Sequence, residues 1–201
     1  MSDPDPLYEV GIAGAGQLAR MTCLAAWPLQ IRVAVLGRPG EPAAGVAHGL
    51  VEGDWNDPEA VRRLGRVSRV VTLENEFVSA DALAAVEAAG TPVRPGAESV
   101  RIVQDKALQK TMLLEHGLPV PHFRVAATAA DLETVGRELG YPLMLKARTL
   151  GYDAYGNATC RTLDEAVEAF PRLDRGQGVL VEEFMPFRRE LAVMVARRPG
   201  G

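Results

Sequence analysis

The sequence predicts an α/β chain: an open, doubly wound parallel sheet over residues 1–97, then a second α/β region over residues 98–201. Three observations lead there. Residues 8–36 run strand, glycine turn, helix, strand, a βαβ unit that requires parallel pairing. The alternation repeats through Val93. Beyond Glu98 the helices and short apolar runs continue, with their own proline and glycine punctuation.

In order, residues 1–6 carry two prolines and read as a loose tail. Tyr8–Ala13 is a short apolar run ending in glycines, a buried strand. Leu18, Met21, Leu24 and Ala25 have helical spacing within Gly16–Trp27. Ile31–Leu36 is the second strand and His48–Val51 a short third. Asp57 caps a helix to Leu64 with Pro58 in its first turn. Arg69–Leu73 is a strand, Ser79 opens a helix over Asp81–Ala89 that Gly90 stops, and Thr91–Val93 is a fifth strand.

The second region opens with a helix over Glu98–His116, broken near Gln104-Asp105 and ended by Gly117. His122–Val125 is a strand, and Thr128 caps a helix ending at Leu139-Gly140. Tyr141–Lys146 is a strand leading into a glycine-bearing loop, Thr149–Asn157. Leu163–Phe170 is a helix with Thr162 or Asp164 near its cap, and Gly178–Phe184 and Glu190–Ala196 are strands. The closing Arg197–Gly201 reads as a turn without a return strand, so the sequence predicts a sheet cut at its edge.

Composition narrows the function. Apolar residues at 47% and charged residues at 24% describe a globular chain, and no run approaches the ~18 apolar residues of a membrane span. Twenty-two basic against 26 acidic residues, with 5% aromatics, argue against a nucleic-acid partner. The start MSDPDPLYEV lacks the basic and apolar regions of a signal peptide, and Cys23 and Cys160 sit in no metal-ligand spacing. Both point to a reduced, cytoplasmic protein without a membrane partner. None of His48, His116 and His122 has a partner at metal-ligand spacing, so no metal ligand is assigned, and no nucleophilic triad identifies a catalytic residue.

Four features carry chemistry, each with a plainer alternative. Gly14-Ala15-Gly16-Gln17-Leu18-Ala19 is a G-x-G-x-x-A turn that either offers backbone N–H groups to a ligand or serves packing alone. The second strand ends in Gly37-Arg38 instead of an acidic residue, which leaves an NADP-type 2′-phosphate on Arg38 open. Glu74 and Glu76, at the carboxyl end of the fourth strand, would share a face if the strand continued; they take an amine-bearing ligand or face water. Lys106, Lys146 and the loop 151–157 combine point charge with backbone donors, as a triphosphate needs, or are solvated surface charge. Glu182-Glu183-Phe184-Met185 and then Glu190 either read adenine and ribose or are an ordinary acidic strand end.

In this order the stretches GAGQLARM, VVTLENEFV, VQDKALQK, LKARTLGYDAYGN and VEEFMPFRRELAVMVAR resemble the ATP-grasp superfamily. They resemble most the 5-(carboxyamino)imidazole ribonucleotide synthases (PurK type), with the formate-dependent glycinamide ribonucleotide transformylases as cousins. The resemblance implies that residues 98–201 form the first part of an ATP-grasp fold, incomplete at its carboxyl end. It implies a purine-biosynthesis ligase whose partners are ATP, bicarbonate and aminoimidazole ribonucleotide, working through carboxyphosphate. It places Lys106, Lys146, Gly151, Tyr152, Asp153, Gly156, Asn157, Glu182, Glu183, Phe184, Met185 and Glu190 around ATP. Gln17, Glu74, Glu76, Tyr152 and Asp153 fall on the ribonucleotide side.

Two departures stand out. The family's loop reads GYDG, a basic residue, then glycine, where this chain has Ala154 and Tyr155. After Glu190 there is no Asp or Glu, so the carboxylates for magnesium are expected beyond this chain, which by itself would be an incomplete enzyme. The rival expectation is a non-catalytic module that holds a nucleotide or a partner, its bare strand edge favouring a homodimer.

Overall fold

The computed structural model describes residues 6–151 and 156–197. Contacts divide the chain into two units between Gly117 and Leu118.

In the first unit, β1 (Val10–Ala13), β2 (Val33–Gly37), β3 (Gly49–Glu52) and β4 (Val71–Leu73) form one parallel sheet in the order β3-β2-β1-β4. The chain moves outward from β1 to β3, then crosses back to lay β4 on the other side. That reversal puts a crevice at the carboxyl ends of β1 and β4. Both faces are covered. Ile12, Val33 and Val35 pack with Ala19, Cys23 and Ala26 of α1 (Gln17–Ala26). Ala13, Ala34 and Leu36 pack with α2 (Pro58–Val67) and α3 (Ala80–Ala88). Burial on both faces is why β2 reads as an unbroken apolar run. The caps follow the sequence: Asp57 accepts from Glu59 N and Ser79 from Ala82 N.

The expected fifth strand does not form. Thr91–Val93 makes one parallel bridge, Val93 to Val71, because Pro92 and Pro95 supply no N–H for a ladder. The helical stretch after Gly96 breaks at Asp105 as expected, into α4 (Ala97–Gln104) and α5 (Lys106–Glu115). Both belong by contact to the first unit, so the contact division falls after them and not at residue 98. Ala97 and Val100 join the first unit's core, which holds α4 there.

Glu9 and Arg32 brace the entry to β1 and β2. Glu9 Oε2 accepts from Arg32 N and Nε at 2.8 and 3.0 Å, and Oε1 from a terminal guanidinium nitrogen at 2.7 Å. These bonds lower the Glu9 pKa from 4.5 to about 2. A lowered folded-state value stabilises above the unfolded pKa and is lost as pH falls through the folded one. We expect the gap in urea midpoint between the parent and Glu9→Gln to be full at pH 7 and to close between pH 4.5 and 2. A gap unchanged over that window would contradict the assignment.

The second unit is an antiparallel sheet, order β5-β8-β6-β7, made of β5 (Phe123–Ala126), β6 (Leu143–Ala147), β7 (Asn157–Cys160) and β8 (Val179–Glu183). Leu143, Leu145, Val179 and Val181 face α6 (Asp131–Leu139) and α7 (Leu163–Leu173). Alternation therefore puts Met144, Lys146, Leu180 and Glu182 on the opposite face.

Three details depart from expectation. Thr128 is not the cap of α6; its N and Oγ1 donate to the Asp131 carboxylate at 2.8 and 3.0 Å, and the helix starts at Asp131. β7, unforeseen, pairs with β6. Residues 190–196 form no strand: among the described residues no neighbour pairs with them, and Leu191 and Met194 are 87% and 97% exposed. An apolar run is strand-like only when a ladder satisfies its backbone.

Candidate functional site

The crevice of the first unit is built by the G-x-G-x-x-A turn and by Glu74. β4 ends at Leu73, the Glu74 N–H donates to Ala13 O, and the chain then turns, so Glu74 and Glu76 do not continue a common strand face. Glu74 lays its carboxylate on the start of α1: Oε2 accepts from Gly16 N at 2.7 Å and Oε1 from Leu18 N at 3.2 Å. A negative group is favoured there by the helix macrodipole and the free N–H groups. Gly14, at φ +126°, and Gly16 leave the space that this carboxylate fills.

A dinucleotide would set its pyrophosphate on those same N–H groups. The chain's own carboxylate occupies them, and Arg38 is paired with Asp54 at 3.0 Å. The NADP reading of Arg38 is therefore dropped. A cavity of about 330 Å³ remains beside the turn, lined by Gly14, Gly37, Arg38, Asp54, Glu74 and Asn75 among others. Gln17, the first residue of α1, is exposed. Glu76 is exposed on a loop held from below: Asn75 Oδ1 accepts from Phe77 N at 3.0 Å, and Gln104 Nε2 donates to Glu76 O and Val78 O at 2.6 and 2.7 Å. Gln104 escaped the sequence reading; its only signal was its place before Asp105-Lys106.

Lys106 opens α5. Asp105 caps that helix, accepting from Ala107 N at 2.8 Å and Leu108 N at 3.3 Å. A lysine in the first turn works against the helix dipole, so helix stability does not explain it.

In the second unit, Lys146 and Glu182 meet. Lys146 lies opposite Leu180 and Glu182 opposite Met144, a diagonal cross-strand pair on the face away from the helices. Lys146 Nζ donates to Glu182 Oε2 at 2.9 Å; Glu182 is 3% exposed. Asn157 stands across from Lys146 in the β6–β7 register, and Gly156 O accepts from Ala147 N at 2.9 Å. The glycine segment thus returns beside the lysine, with Gly151 and Gly156 at its two ends. Tyr152, Asp153, Ala154 and Tyr155 lie outside the described residues.

Glu183 points the other way from Glu182. Its Oε1 accepts from His122 N at 3.0 Å and its N–H donates to His122 O at 3.0 Å, tying β8 to the start of β5. Phe184, Met185 and Glu190 follow as an exposed extension beyond β8. Lys106 belongs to the first unit and Lys146 to the second. His48 accepts from Val33 N through Nδ1 at 3.1 Å, and His116 Nδ1 lies 2.8 Å from Met112 O, both structural roles. Among the described residues no three His, Cys, Asp or Glu side chains gather as a metal cluster, and no helix is long and apolar enough to cross a membrane.

Two family models account for most of the chain. One for a ribonucleotide synthetase preATP-grasp domain matches residues 7–104, and one for an ATP-grasp domain matches residues 111–201. The chain belongs to the ATP-grasp family. Within it, the similarity is to the N5-carboxyaminoimidazole ribonucleotide synthases. That of Synechococcus elongatus is 38% identical over 98% of this chain and 50% of its own length. The phosphoribosylaminoimidazole carboxylase of Ogataea methanolica is 39% identical over 96% of this chain and 36% of its own. The crystal structure of the Aspergillus clavatus synthase with ADP and 5-aminoimidazole ribonucleotide superposes with a TM-score of 0.82 at 36% identity, over 90% of this chain and 47% of that one. The chain spans about half the length of its cyanobacterial relative and about a third of the yeast one.

Proposed function

We propose that this chain takes part in the ATP-dependent carboxylation of aminoimidazole ribonucleotide. Bicarbonate attacks the γ-phosphorus of ATP to give carboxyphosphate and ADP. The exocyclic amine then attacks the carboxyl carbon and releases phosphate. Such transfers are catalysed mainly by positioning and by charge placed where it develops.

The observation that carries the reading is the Lys146–Glu182 pair beside the ends of the glycine segment. A buried carboxylate fixes the direction of an ammonium group that stays partly open, its side chain 29% exposed. Lys146 and Lys106 are assigned to the phosphates, residues 151–157 to the loop over them, the backbone of residues 182–185 to adenine, and Glu190 to the ribose. Gln17, Glu74, Glu76, Tyr152 and Asp153 are assigned to the ribonucleotide. The relative crystallised with ADP and 5-aminoimidazole ribonucleotide supports both ligands. The described residues do not offer a cluster fit for a protein-held magnesium, so no step is routed through one. The same reading carries a cytoplasmic location, supported by two buried free thiols, and a homodimer, supported by Leu18, Met21 and Leu24 exposed along α1. Fractionation of the source cells and sedimentation equilibrium test these two.

Calorimetry on the 201-residue chain tests the core of the proposal. Saturable binding of ATP and, separately, of aminoimidazole ribonucleotide is expected. No binding of either nucleotide at millimolar concentration would overturn it. Binding of ATP by this chain and by a version extended at its carboxyl end, with bicarbonate-dependent ADP formation in neither, would favour the rival non-catalytic module.

A further inference from the structure

We infer that Gln104 is a positioning residue that locks the acidic loop 74–78 to the helix start carrying Lys106, so that both halves of the first unit's site move as one body. The inference rests on the reading above for what those halves bind, and on geometry alone for the lock.

Gln104 is the last residue of α4. Its amide nitrogen spends both hydrogens on backbone carbonyls, those of Glu76 and Val78, at 2.6 and 2.7 Å. A glutamine at a helix end ordinarily points to water; this one reaches 26 and 28 residues back along the chain. The next residue, Asp105, is buried and extended (φ −114°, ψ 111°), and its carboxylate starts α5 by accepting from Ala107 and Leu108. Lys106 follows at once. Three consecutive residues therefore grip the loop, turn the chain and present the lysine.

The loop has a second anchor. Glu74 is seated on α1, and Asn75 closes on Phe77 N. Between them, Glu74 and Gln104 hold both ends of a short segment whose outward side chain is Glu76. Because Gln104 ties the loop to the start of α5, the freedom each retains is shared, and a ligand that restrains one also restrains the other. Occupation of the Glu74–Glu76 side should then change the affinity at Lys106, and by linkage the reverse, by the same factor.

The test uses Gln104→Met, which keeps length and removes both donors. Without ligand, amide hydrogen exchange should speed up together in residues 74–79 and 105–109, with the circular dichroism spectrum unchanged. With ligand, calorimetry of aminoimidazole ribonucleotide with and without saturating ATP should show coupling in the parent. The variant should lose that coupling and bind the ribonucleotide at least tenfold more weakly, its affinity for ATP alone staying within about threefold. Exchange that rises in the loop only, or in neither segment, overturns the lock whether or not the parent binds nucleotides. A parent that binds neither nucleotide overturns the functional reading and leaves the exchange result to decide the lock. Coupling that survives in Gln104→Met overturns the role of the lock in binding.

Discussion

Lys146→Met is expected to abolish the proposed ATP binding and to destabilise the second unit by about 3 kcal/mol, the lower end of the cost of breaking a buried ion pair. Glu182 is 3% exposed, and water cannot replace the ammonium group that sits 2.9 Å from its Oε2. The cost falls at the lower end because the lysine side is 29% exposed. A companion variant separates stability from function. Lys146→Met with Glu182→Leu exchanges the pair for apolar side chains of similar volume, a change that is often neutral or stabilising. Most of the urea midpoint should return, and ATP binding should not. Normal ATP affinity in Lys146→Met would remove the lysine from the site; a double variant no more stable than the single would show that the pair is not what holds Glu182.

Gly14→Ala destabilises the first unit by about 3 kcal/mol, from backbone strain of about 1–3 kcal/mol and a lost helix cap of about 1 kcal/mol. Gly14 sits at φ +126°, where an L side chain is strained whatever the space around it. A Cβ there would also lie 2.6 Å from Glu74 Oε2 and 2.7 Å from Glu74 Cβ, driving the carboxylate off α1. Gly14→Ala with Glu74→Gly removes both clashing atoms and keeps the strain at position 14, so it should cost less than the sum of the two single changes. Gly45→Ala is the control: nothing lies within 4 Å of a Cβ placed there, and its φ is ordinary. Equal urea midpoints for Gly14→Ala and Gly45→Ala would refute the account.

Several elements were legible because their determinants are local. β2 is buried on both faces and reads as an apolar run. Asp57, Ser79 and Thr162 cap helices through bonds that span two or three residues. The break at Gln104-Asp105 was visible because Asp105 caps α5, the helix it precedes.

The misreadings share the opposite property. Residues 190–196 have strand composition, but a strand needs a neighbour that sequence does not supply. β7, Asn-Ala-Thr-Cys, is too short and polar to announce itself, and forms because β6 offers it an edge. Thr128 was the obvious cap, but Asp131 three residues on is the stronger acceptor and took the Thr128 donors instead.

Local chemistry along the chain set the class of most elements, the order of the two units and the residue types of the proposed nucleotide site, since apolar runs, turn glycines and caps act over a few residues. Which charge meets which was decided in three dimensions. Glu74 is spent on a helix start 58 residues away, Glu182 turns to Lys146 while Glu183 turns to His122, and Gln104 grips the loop of Glu76. Coulombic and hydrogen-bond partners are chosen by distance in space, and strand register and helix direction set that distance long after local preference has had its say.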